Sequence, residues 1–146
     1  MANLAYVDSS ALLKLVVHEP ETSALEADLL ERDGLVTSRL AALECRRAAT
    51  RLARTRVLQT VDEALEAMYL IAVTPAILDH AAALAPPALR LLDAIHLATA
   101  LSLDDDDLEV VTYDERLAEA ASAAGLRIVQ PGRRAPARSR SARSRT

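Results

Sequence analysis

Five short strand-like runs, Ala2 to Val7, Leu35 to Thr37, Leu70 to Val73, Leu108 to Thr112 and Arg127 to Val129, alternate along the chain with stretches of helical periodicity. Parallel strands need long crossovers, which a helix supplies. The alternation therefore predicts an α/β fold, a parallel sheet covered by helices on both faces. Asp8-Ser9-Ser10 offers N-cap chemistry for a helix through Leu12, Leu13, Leu15 and Val16, which Pro20 closes. Ser23 to Glu31 places Leu25, Leu29 and Leu30 between acids, and Asp33-Gly34 ends it. From Ser38 the spacing predicts a helix with Leu40, Leu43, Ala48 and Leu52 on one side, as core or dimer surface. Arg46, Arg47, Arg51 and Arg54 fall on the other side. Thr60 and Glu63 have the spacing of a capping box and predict a helix start there, while Pro75 suits the first turn of the next helix, which runs to Pro86-Pro87. Leu91 to Ser102 and Asp114 to Ala124 are the last two, the second stopped by Gly125.

With 146 residues the chain is long enough for one domain, but it has no Trp, no Phe and only three Tyr. The core must therefore come from Leu, Ala, Val and Ile, with many small contacts in place of aromatic bulk. Its one cysteine, Cys45, excludes an internal disulfide and reads as a buried small hydrophobe in a reducing compartment. No apolar run approaches the ~18–20 residues that span a bilayer, and no signal-type start precedes the first strand, so a cytoplasmic protein without membrane contact is expected.

The formal charge of −4 is unevenly spread. Six of the 17 basic residues lie after Pro131, where there is no acid, so the body before that point sets eleven basic residues against 21 acidic ones. Such a body has no general attraction for nucleic acid, and any contact with it must be local. The Arg/Ser-rich stretch 132–146 has no large apolar residue and is expected to be a disordered tail on a folded domain of residues 1–131. The run Asp104 to Asp107 lacks the spaced ligands and glycine of a calcium loop and reads as a solvated turn.

Four other acids stand in positions that ask for an explanation. Asp8 ends the first strand, Asp114 follows the fourth, and Glu44 lies about two turns into the helix after the second. Asp93 begins an otherwise apolar helix. In open α/β sheets ligands sit outside the carboxyl ends of the strands, a rim to which the topology can bring these residues. Carboxylates gathered there raise one another's pKa unless a cation compensates them. Oxygen donors with no clustered Cys or paired His suit Mg²⁺ or Mn²⁺, which can activate water and neutralise a phosphodiester in its transition state. Taken singly, Asp8 and Asp114 also read as simple helix caps, and His96, one turn after Asp93, as a packed or hydrogen-bonded structural histidine.

Tyr6-Val7-Asp8-Ser9-Ser10-Ala11-Leu12-Leu13-Lys14-Leu15, Thr37-Ser38 followed by Glu44, Leu92-Asp93-Ala94-Ile95-His96-Leu97-Ala98 and Val111-Thr112-Tyr113-Asp114-Glu115-Arg116-Leu117, taken in this order, resemble the PIN-domain family, more narrowly the VapC toxins of bacterial toxin–antitoxin pairs. The resemblance runs from about Leu4 to Pro131. It implies a three-layer α/β/α sandwich with a central parallel sheet and an endoribonuclease dependent on Mg²⁺ or Mn²⁺. It also implies RNA as substrate, a small cognate VapB-like antitoxin and a homodimer. The family's acidic quartet falls on Asp8, Glu44, Asp93 and Asp114, as catalytic and metal-holding residues, with the Thr112 hydroxyl beside them. The rival readings are a catalytically idle PIN-like module that acts through protein association, and a flavodoxin-like or receiver domain. The second would want a glycine-rich phosphate loop or a later Lys, whereas Lys14 is the sole lysine.

Overall fold

The computed structural model describes residues 3–133. The strands are β1 (Leu4–Val7), β2 (Gly34–Ser38), β3 (Tyr69–Ile71), β4 (Glu109–Val111) and β5 (Arg127–Val129). The helices are α1 (Ser9–Val16), α2 (Thr22–Leu30), α3 (Arg39–Arg51), α4 (Thr55–Glu66), α5 (Pro75–Ala83), α6 (Leu91–Ser102) and α7 (Glu115–Ala123). All strand pairs are parallel, in the order β3-β2-β1-β4-β5. The chain builds outward from β1 through β2 to β3, then returns to the other side of β1 for β4 and β5. The direction of winding therefore reverses between β1 and β4, where the crevice of a doubly wound sheet lies.

Alternation along β1 distributes the core between the two faces. Ala5 and Val7 pack with Ala11 and Leu12 of α1, Leu25 and Leu29 of α2, Ala41 and Cys45 of α3, and Val61 and Leu65 of α4. Tyr6 points the other way, with Val36, Val110 and Ala100 of α6. On that side α6 packs Ile95 and Ala98 against Ile77 and Ala81 of α5, and Leu97 against Leu117 and Ala121 of α7. The result is the three-layer sandwich expected from the alternation. Helix α6 is the most enclosed of the helices, every residue from Asp93 to Ala100 being buried.

The reading of α3 is narrowed and that of α4 is corrected. The inward face of α3 carries Ala41, Ala42, Cys45 and Ala49, while Leu43 and Leu52 point outward at 56% and 49% exposure. Small side chains let this helix lie close on the sheet, and Cys45 Sγ approaches the Ser9 carbonyl at 3.7 Å. Burial pushes that thiol's pKa up to about 12, with Glu44 and Asp8 adding to the effect. Helix α4 begins at Thr55, so Thr60 is interior. Its hydroxyl donates back to the Arg56 carbonyl at 2.9 Å, which is helix-interior behaviour and not capping. Arg46, Arg47, Arg51 and Arg54 are all exposed, and Arg46 pairs with Asp62 of α4 at 3.1 Å. The other starts agree with their signals: Asp8, Ser38, Thr74 and Asp114 each cap a helix through the side chain, and Gly125 ends α7 with φ +91°. Of the stretch 132–146 expected to form a tail, residues 134–146 lie outside the described residues.

Candidate active site

The carboxyl ends of β1, β2 and β4 and the first turns of the helices that follow them form one rim. Asp8 leaves β1 with its amide still bonded to the Val111 carbonyl of β4 at 3.2 Å, which fixes it over the switch point. It is 2% exposed. Its Oδ1 accepts from Ser10 Oγ at 2.7 Å and from the Ala11 amide at 3.0 Å, and its Oδ2 accepts from Thr112 Oγ1 at 2.5 Å. These three donors favour the ionised form, but burial outweighs them and raises the Asp8 pKa. The Thr112 hydroxyl also accepts from the Asp114 amide at 3.1 Å, so one short side chain ties the ends of β1 and β4 together. Ser10 makes a parallel tie, its hydroxyl accepting from the Tyr113 amide at 2.9 Å.

Asp114 caps α7, its Oδ1 accepting from the Arg116 and Leu117 amides at 2.9 and 3.3 Å, which leaves its other oxygen outside the cap. Asp93 sits in the first turn of α6, where the helix dipole favours a negative charge. Burial nevertheless raises its pKa, and the nearby Asp114 carboxylate raises it further. It takes no side-chain hydrogen bond among the described residues and is the least compensated of the four acids.

Glu44 is held from the sheet side by a buried relay. The Tyr6 hydroxyl bonds His96 Nδ1 at 2.7 Å, His96 Nε2 bonds Glu44 Oε1 at 2.8 Å, and Ser9 Oγ donates to Glu44 Oε2 at 3.3 Å. Desolvation pushes the Tyr6 pKa far above its ordinary value, so its hydroxyl keeps its proton and donates. The carboxylate can only accept, which assigns the Nε2–H tautomer to the neutral imidazole. His96 is the hydrogen-bonded structural histidine expected, but it spans from the core to a candidate site acid. Neither that link nor the role of Ser10 was visible beforehand, because the partners lie 90, 52 and 103 positions apart.

Asp8, Glu44, Asp93 and Asp114 line a single pocket of about 220 Å³, together with Ser9, Arg90 and His96. The sequence-predicted acids are therefore brought to one place, with Thr112 bonded to Asp8 beneath them. Among the described residues, no three Asp, Glu, His or Cys side chains are drawn close enough to hold one ion as placed. The local bonds explain this, since three of the acids are each taken up by their own donors. The chemistry of the donor set still fits a hard divalent cation. It is all-oxygen around the opening, it includes two carboxylates with raised pKa values, and it leaves Asp93 without a compensating donor.

A doubly wound α/β/α domain with an acid-lined pocket over its β1/β4 switch point defines the class. The PIN domain family model matches residues 5–123, and the chain belongs to that family, with VapC ribonucleases as its relatives. It is 42% identical over 132 residues to Ribonuclease VapC46 of Mycobacterium tuberculosis, covering 86% of this chain and 96% of that protein. It is 41% identical over 133 residues to Ribonuclease VapC35 of the same organism, covering 88% and 98%. Among solved structures it resembles a toxin–antitoxin complex from Klebsiella pneumoniae, with TM-score 0.67, 25% identity and coverage of 87% and 97%. VapBC2 from Rickettsia felis, bound to a promoter DNA fragment, shares the fold with TM-score 0.67 at 10% identity, covering 86% and 97%. No helix among the described residues is long and apolar enough to cross a membrane.

Proposed function

We propose that the protein is a metal-dependent endoribonuclease, the toxin of a toxin–antitoxin pair, which hydrolyses RNA phosphodiester bonds in the acid-lined pocket and is neutralised by a small VapB-like antitoxin. The observation that carries this reading is the meeting of Asp8, Glu44, Asp93 and Asp114, from separate parts of the chain, around one pocket at the sheet's switch point. The VapC names of its relatives and the toxin–antitoxin complexes among its structural neighbours support the substrate and the partner. A homodimer and a cytoplasmic location complete the proposal.

When bound, Mg²⁺ or Mn²⁺ supplies positive charge for the phosphodiester and lowers the pKa of a coordinated water. Asp8, Asp93 and Asp114 are the residues to hold it, Asp93 being the acid whose charge is least offset. Glu44, oriented by His96 and Ser9, either completes the set of ligands or takes a proton from the attacking water. Thr112 and Ser10 fix Asp8 so that its carboxylate does not turn away from the opening. Without a cation the acidic rim repels RNA phosphate, so placement of the scissile phosphate at the rim and the chemistry there depend on the same ion.

The test is cleavage of labelled RNA by the purified protein with magnesium, with chelator, and with Asp8→Asn, which removes a charge at constant size. Cleavage that needs the metal and is lost in a folded Asp8→Asn variant is expected. Undiminished cleavage by that variant would sink the assignment.

A further inference from the structure

Beside the acid pocket lies a second cavity, of about 390 Å³, between the start of α6 and the outer face of α7. Arg90 and Asp93 line both, so the two spaces adjoin. The walls of the second are Leu89, Ala120 and Ala123, with Arg90, Arg116 and Glu119 as its charged groups besides Asp93. We propose that this cavity is a nucleotide subsite of the RNA strand, Arg90 taking a backbone phosphate next to the one in the acid pocket and the apolar walls with the Arg116 guanidinium taking its base. This rests on the ribonuclease reading and deepens it.

Charge provides the first argument. The body of the chain is strongly acidic, so an RNA strand is held only where cations are concentrated. Among the described residues Arg90 is the single arginine or lysine lining the acid pocket, and Arg116 stands in the first turn of α7, directly after Asp114 and Glu115. Arg32, Arg46, Arg127 and Arg133 are occupied in ion pairs. Arg90 and Arg116 are exposed and, like Arg39, Arg47, Arg51, Arg54 and Arg56, take no side-chain ion pair among the described residues, but of these seven only Arg90 and Arg116 line the two spaces. Both therefore remain available to a ligand. Glu119 makes its end of the cavity unfavourable for a phosphate, which gives the subsite a direction: phosphate towards Arg90, base beyond.

Stacking provides the second argument. Proteins that read single-stranded RNA stack its bases on aromatic rings or on guanidinium planes. This chain has no Phe or Trp; Tyr6 and Tyr113 are buried, and Tyr69 lies on the edge strand β3, away from the switch point. Guanidinium planes are thus the stacking surfaces available here, and the cavity offers them beside an apolar wall. Its volume falls in the range of small-ligand pockets.

Binding is measured with fluorescently labelled 12-nucleotide single-stranded RNA of mixed sequence. The full-length protein in the Asp8→Asn background keeps the strand intact, and each variant's melting curve confirms folding. Arg90→Met is expected to weaken binding and to reduce the slope of log affinity against log salt by about 0.7, the loss of one phosphate contact. Ala123→Leu fills the cavity from an exposed position without supplying an aromatic face and is expected to weaken binding roughly 10-fold, the loss of one stacked base, with the salt slope unchanged. In the cleaving protein, Ala123→Leu and Arg116→Met are expected to raise KM with kcat little changed and to redistribute the cut positions. Unchanged affinity, slope and cut positions in these variants, or no RNA binding by any form, would overturn the subsite. Loss of hydrolysis alone would not, because the binding differences do not require cleavage.

Discussion

Asp93 presents a sharp conflict: a carboxyl at 8% exposure, with Asp114 nearby and, among the described residues, no side-chain hydrogen bond. Its folded-state pKa lies above the ordinary carboxyl value of 3.8, so the folded protein binds a proton more tightly than the unfolded chain does. By linkage, this group's contribution to stability is greatest below pH about 3.8 and falls as pH rises through the higher folded value. At neutral pH the ionised group therefore works against the fold. Asp93→Asn keeps the shape and removes that cost, so without divalent ions it is expected to melt at a higher temperature than the parent at pH 7. The two are expected to converge near pH 3, and added magnesium to close the gap at pH 7 by stabilising only the parent. Melting scans over pH, with and without magnesium, check this, and a variant less stable than the parent at pH 7 in chelator contradicts it. Asp93 could be singled out from the letters because a lone acid in an apolar helix is a local signal. The Tyr6–His96–Glu44 relay could not, because nothing near Tyr6 in sequence says that its hydroxyl meets an imidazole on α6.

Elements announced themselves in the sequence wherever a local chemical signal and the tertiary packing agreed. Asp8, Pro75, Asp114 and Gly125 mark boundaries that the fold uses, since each supplies a bond or a dihedral angle needed at that point. The signal failed at α4, where Arg54 makes no side-chain cap and the start is set by packing of Val57, Leu58, Val61 and Leu65 on the core. On α3 the spacing left Leu43 and Leu52 as core or dimer surface, and they point outward because close approach to the sheet admits only Ala and Cys. Two threonines separate a real cap from an apparent one. Thr74→Ala removes the acceptor for the Ile77 amide at 3.2 Å and is expected to cost about 1 kcal/mol. Thr60→Ala, inside a helix, is expected to leave stability unchanged or raise it by about 0.5 kcal/mol, because alanine is the better helix former. Urea unfolding of both variants distinguishes the two cases; a loss of about 1 kcal/mol at Thr60 would place the helix start where the capping-box spacing puts it.

At the scale of the whole molecule, the ends of distant segments are fastened by charges set around Tyr113. Lys14 of α1, 8% exposed, bonds Glu19 and also Glu21 at 3.1 Å, and its ammonium lies 4.8 Å from the centre of the Tyr113 ring. Arg133 approaches the same ring at 5.1 Å and pairs with Glu115 at 2.7 Å, while the Tyr113 hydroxyl donates to the Pro131 carbonyl at 2.7 Å. This cluster joins α1, the approach to α2, the start of α7 and the segment after β5, and it holds the chain's one lysine in place. Burial alone would depress the Lys14 pKa, but its bonds to Glu19 and Glu21 outweigh that and raise it. Reciprocally, the Lys14 bond is the main reason that Glu21 titrates below its ordinary 4.5. A carboxyl with a lowered folded pKa adds stability above its unfolded value and loses it as pH falls through the folded one. The cluster is therefore at full strength at neutral pH and weakens below about 4.5. Lys14→Met, which retains the length and apolar stem, is expected to lower the melting temperature at pH 7. Because its stability no longer depends on Glu21 staying ionised, its melting temperature is expected to fall less between pH 5 and pH 3 than the parent's. Two parallel curves over that interval would show that the acid sensitivity of the fold arises elsewhere.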